Sequence, residues 1–124
     1  LMLEDKTNVS ATVELLTKWY NAPLGLGQAW VDMTPSRAKD TTYTNTTGRT
    51  IIVKVTGKSL SVGAGATLRI RVDGLFVNNS QLTNMGSNYN AYPHVSTEVP
   101  PESIYSVQEW GTPPANIYFW AELR

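Results

Sequence analysis

Residues 67–78 place the dipeptide Asp73-Gly74 between two apolar-rich runs. Between strands that dipeptide favours a two-residue type I′ turn, in which both central residues need positive φ. The turn fixes a register. Val72 falls opposite Leu75 and Ile70 opposite Val77 on one face, while Arg71 meets Phe76 and Arg69 meets Asn78 on the other. The aliphatic face then belongs to a core. The second face carries two Arg stems, one able to lie over the Phe76 ring. Arg69 and Arg71 read as a solvated or subunit-facing surface more readily than as a ligand clamp.

Short alternating runs recur along the chain, each closed by Gly or Pro. In 50–56, Ile51, Val53 and Val55 share one face, with Ile52, Lys54 and Thr56 opposite. Gly57-Lys58-Ser59 and Gly63-Ala64-Gly65 then isolate 60–62 as a short edge piece; these glycines lack phosphate-loop spacing. Residues 95–99 alternate and stop at Pro100-Pro101, whose missing donors end a ladder. Residues 103–110 follow, then a turn at 111–114. The last segment, 116–124, sets Ile117, Phe119, Ala121 and Leu123 against Tyr118, Trp120 and Glu122. Large side chains on both faces imply a strand covered on both sides, the second cover being a neighbouring subunit. Eight or nine short strands of this kind predict an all-β, antiparallel β-sandwich or jelly-roll-like domain.

With 124 residues the chain has room for one domain with a real core. Its apolar residues Val9, Val13, Leu16 and Tyr20 keep helical spacing, widened by Leu15 and Trp19 and stopped by Pro23. Segment 1–28 is therefore expected to be a stalk or linker with a short helix, either the end of a coiled coil or a helix packed on its own domain, and 29–124 the sandwich head. Net charge is zero with 16% charged residues, which gives no footprint for nucleic acid. So low a charge also suggests that a partner covers some surface. No run is long enough for a membrane span, so no insertion is expected. The absence of Cys removes disulfides and thiolate chemistry. The chain opens at Leu1 rather than Met, as a terminal piece of something longer would.

Residues 30–52 open with Trp30-Val31-Asp32-Met33-Thr34-Pro35-Ser36-Arg37 and continue with Tyr43-Thr44-Asn45-Thr46-Thr47-Gly48-Arg49 before Ile51-Ile52. They suit two short strands, a polar turn and the start of a third strand, with Gly48 supplying positive φ. This order, together with Val99-Pro100-Pro101, Tyr105-Ser106-Val107 and the closing Trp120-Ala121-Glu122-Leu123-Arg124, resembles the C-terminal head module of phage and prophage tail fibres. The resemblance covers roughly 26–124. It implies an intertwined or packed homotrimer, a location in the virion tail fibre, and partners among other tail proteins and the bacterial surface, whether polysaccharide or outer-membrane protein. Within the motif, Trp30 reads as a packing anchor and Asp32 and Arg37 as ion-pair partners; the whole stretch reads as framework.

The residues that select a target are expected elsewhere. Residues 79–94 keep neither strand nor helix period, and their Asn, Ser, Gly and Tyr content is that of adaptable binding loops, though also of ordinary polar ones. Tyr89 and Tyr92, with Asn84, Asn88, Asn90 and His94, form the candidate receptor site: rings stack on sugar faces while amides read hydroxyls. His94 is the single histidine, and with no calcium-loop pattern no metal or other cofactor is expected. Asp32, Asp73, Glu98, Glu102, Glu109 and Glu122 are the carboxylates available for glycoside cleavage, but the expectation is a binding protein, not an enzyme. The sequons at Asn8, Asn45 and Asn78 reflect Thr- and Asn-rich turns. Two functions remain: an adhesin for a surface saccharide, or a trimerisation and capping module.

Overall fold

The computed structural model describes residues 22–83, 86–109 and 115–124. The expected N-terminal helix, Asn84 and the turn at 111–114 lie outside them. Eight strands follow in order: β1 Trp30–Asp32, β2 Tyr43–Thr44, β3 Ile51–Ser59, β4 Ala66–Val72, β5 Leu75–Leu82, β6 His94–Val99, β7 Ile104–Gln108 and β8 Ala115–Leu123. They form two antiparallel four-stranded sheets, β1-β8-β3-β6 and β2-β7-β4-β5. The described residues form an all-β sandwich.

Alternation places the core. Ile51, Val53 and Val55 of β3, Val95 and Val99 of β6 and Trp120 of β8 face Leu68, Ile70 and Val72 of β4 and Tyr105 and Val107 of β7. Such burial is the main stabilising term, about 1.5–3 kcal/mol for each large aliphatic side chain.

The Asp73-Gly74 turn forms as expected, with φ of +50° and +84°, and Val72 pairs with Leu75 and Arg71 with Phe76. Beyond that the register shifts: Ile70 pairs with Asn78 and Arg69 with Asn79, leaving Val77 as the extra residue of a bulge. Leu75 and Val77 are exposed, so β5 contributes little to the expected aliphatic core face. Its position at the sheet edge explains this, because an edge strand can twist away from the stack.

Two further boundaries differ from expectation. Gly57 does not end β3; the strand runs on to Ser59, and 60–62 is a bend rather than an edge strand. A Cβ on Gly57 would sit 2.8 Å from Leu68 Cδ1, so the missing side chain makes room for the facing sheet. In β8, the pairing with β3 skips Tyr118: Thr56 meets Phe119 but Gly57 meets Ile117. Ile117 is thereby turned toward the core instead of sharing the face of Phe119.

Candidate functional site

The recognisable motifs converge on one buried carboxylate. Glu122 is fully enclosed. Its Oε2 accepts from Arg37 Nε (3.1 Å), Tyr105 Oη (2.9 Å) and Trp120 Nε1 (2.9 Å), and its Oε1 from Arg37 Nη2 (3.4 Å) and Arg124 Nη1 (2.9 Å). Arg37 also lies over the Tyr43 ring, its Cζ 4.5 Å from the centroid. Burial, reinforced by the charge of Glu122, pushes the Tyr105 phenol up to about 12. Arg37 therefore pairs with Glu122 and not with Asp32, whose carboxylate caps the Thr34 amide at 3.0 Å. The Thr34 hydroxyl first, and then that amide bond, hold the Asp32 carboxyl below its ordinary range.

A second knot joins the middle motif to the Pro-Pro stretch. Buried Asn45 donates through Nδ2 to the carbonyls of Arg49, Val99 and Pro100, while its Oδ1 accepts from the amide and hydroxyl of Thr47. Asn45 is thus committed to closing a turn, with Gly48 at φ +79°. These residues are framework.

The candidate site lies on the outer face of the first sheet, where pairing lays out rows of side chains. The first row is Trp30, Leu123, Ile52 and Glu98; the next is Asp32, Ala121, Lys54 and Ser96. Phe119, Thr56 and His94 make the third. In the last, Lys58 pairs with Asn116, and the Gly57 and Ser59 amides donate to the Pro93 and Ala91 carbonyls, which brings Tyr92 alongside. The Tyr118 bulge adds another ring here. Tyr92 and Tyr118 meet edge to face with centroids 5.5 Å apart, and Tyr118 lies 5.2 Å from Phe119. Lys58 Nζ stands 5.8 Å above the Tyr118 ring, and Lys54 Nζ 5.4 Å from that of Trp30. Trp30, Tyr92, Tyr118 and Phe119 are each between 41% and 51% exposed. Trp30 is thus a surface ring rather than a core anchor.

Of the expected receptor residues, Tyr92 and His94 belong to this face. Asn90 accepts a hydrogen bond from Ser59 Oγ at 3.2 Å, and the Tyr89 carbonyl accepts from the Gly63 amide. These bonds hold the segment along the end of β3. Tyr89 and Asn88 are exposed beyond it. The connection is also shorter than expected, because β5 continues to Leu82. Tyr118, Phe119, Lys58 and Trp30 were not among the expected site residues. The signal was present in the two large faces of 116–124, but nothing in the sequence says which face looks outward.

Several of the carboxylates have other partners. Glu109 pairs with Lys39, and Asp73 accepts from Ser103 Oγ (2.6 Å) and the Ile104 amide (3.0 Å), which lowers its pKa. Among the described residues no three His, Asp or Glu side chains cluster as metal ligands, and no helix is long and apolar enough to cross a membrane.

The fold and this face define a two-sheet β-sandwich presenting an exposed aromatic platform. No protein-family model and no curated protein sequence matches the chain. Among solved structures it is similar to the CBM36-1 domain of a multidomain xylanase from the hindgut metagenome of Trinervitermes trinervoides, at 13% identity and TM-score 0.49 over 78% of this chain and 96% of that one. It is also similar to CBM35 from Cellvibrio japonicus Abf62, at 11% identity and TM-score 0.46 over 77% and 94%. A family 35 carbohydrate binding module from Clostridium thermocellum matches at 8% identity and TM-score 0.45, over 65% of this chain and 66% of that one. These likenesses are too distant to transfer a ligand or a site.

Proposed function

We propose that this chain is the adhesive head of a phage-type tail fibre, which binds a saccharide of the bacterial envelope and does not cleave it. The observation that carries the reading is the cluster of Tyr92, Tyr118 and Phe119, half-exposed and packed on one another at one end of a rigid sheet. Rings held in this way lose little entropy on binding and offer apolar faces to sugar rings, while Lys58, Asn116, Thr56 and His94 supply polar groups beside them. The tail-fibre part of the proposal rests on the motif resemblance. A homotrimer would present three such faces, so that weak single contacts add up to firm attachment.

The test is adsorption. The purified chain should compete with whole phage for host cells and bind isolated envelope polysaccharide. Tyr118→Ser and Phe119→Ser should each weaken that binding about tenfold without lowering the melting temperature. Unchanged binding by the double variant would sink the platform. A second reading, a trimerisation and capping module, is favoured by the same exposed rings. Under it the chain would fail to compete, and the double variant would lose its oligomeric state instead.

A further inference from the structure

The outer face of the second sheet carries a different chemistry. Arg69 and Arg71 project from β4 beside Phe76 of β5, and both guanidinium groups lie over its ring, Cζ to centroid 3.6 Å and 4.2 Å. Both Nε atoms are buried without a hydrogen-bond partner, and among the described residues neither Arg forms an ion pair. Two like charges two residues apart on one face repel, and the usual remedy is a neighbouring carboxylate. None is supplied among the described residues. Across β7, Arg69 pairs with Gln108 and Arg71 with Ser106. A shallow cavity of about 130 Å³ opens beside Arg71, lined also by Thr42, Ser106 and Gln108 among others and, among the described residues, by no Asp or Glu. Ser106 Oγ accepts from Gln108 Nε2 at 3.3 Å, which directs its own proton elsewhere.

We infer that this face is an anion site, taking the carboxylate of a uronic acid or a phosphate substituent of a saccharide. Ring stacking holds two planar forks in place before a ligand arrives, and an oxyanion accepting from both would supply the missing counter-charge. Thr42, Ser106 and Gln108 add uncharged polar groups for the rest of a sugar. The site is separate from the aromatic platform and does not depend on it.

Side-chain ¹H–¹⁵N spectra of the whole chain give the test, because buried Nε–H groups exchange slowly enough to be seen. Addition of glucuronate or inorganic phosphate should move the Arg69 and Arg71 signals to a plateau, whereas glucose should not. A response to only one of the two anions would identify the source. Arg71→Gln should weaken the response at Arg69 about ten- to hundredfold. Arg71→Lys, which keeps the charge but loses the fork, should fall in between. Signals that ignore both anions, or that follow protein concentration instead, would overturn the inference; the latter would make the face a contact between copies of the chain.

Discussion

At the scale of single residues, Glu122 shows how a buried charge is tolerated. It receives five hydrogen bonds, three of them from two arginines. Removing the charge leaves Arg37 under cover with no counter-ion. Glu122→Gln should therefore lower stability by about 3–5 kcal/mol, read from urea denaturation. Tyr105 supplies a pH signature. An unfolded chain releases a phenol proton near 10.0, whereas the folded one keeps it to about 12. Ionisation thus favours unfolding: the stabilisation is whole below pH 10 and fades as pH climbs toward 12. Tyr105→Phe should flatten that alkaline loss in melting temperature while lowering stability at neutral pH, since Glu122 loses a donor. Neither partner was legible in the sequence. Arg37 lies 85 positions from Glu122, and only the fold decides which carboxylate it meets.

At the scale of elements, the sequence was most readable where backbone chemistry acts locally and least where strands deviate. Asp73-Gly74 set the turn and its first two pairs, and Pro100 set the end of β6. Alternation in 51–55 named the core face of β3 correctly. The bulges at Val77 and Tyr118 were invisible, because each adds one residue without altering composition and reverses which side chains face inward. That is why loop chemistry led to Tyr92 and His94, which lie on the aromatic face, while Tyr118 and Phe119 were not among the expected residues. Close approach also went unread at Gly65. A Cβ there would stand 2.3 Å from the Leu82 carbonyl oxygen, which belongs to the backbone and cannot swing aside. Gly65→Ala should cost about 1–3 kcal/mol by forcing β4 and β5 apart, whereas at Gly25 the methyl faces open space and the strain comes from the backbone φ of +98° instead. Thermal melts of Gly65→Ala against wild type check the first. An equal melting temperature would mean the loop simply yields.

At the scale of the whole molecule, the sandwich itself followed from counting short strands, but the use of its open faces did not, since a monomer's surface carries no label for a subunit. The first sheet's face is long enough for two tasks. Trp30 and Phe119 stand in rows four residues apart on β8, about 13 Å along the strand. The Trp30 end, with Leu123 and Ile52, lies where residues 22–29 lead into β1, and is the end a trimer joined to a fibre would bury. The Tyr118 end is the one proposed for saccharide. Sedimentation equilibrium separates them. Wild-type chain should have three times the mass of one chain, and Trp30→Ser should shift that equilibrium toward monomer while keeping the fold, because the ring is already half-exposed. Tyr118→Ser should leave the mass alone and reduce binding only. A wild-type monomer at all concentrations would remove the trimer and with it the gain from multivalency. A trimer that survives Trp30→Ser but falls apart with Tyr118→Ser would transfer the aromatic platform from receptor to subunit contact.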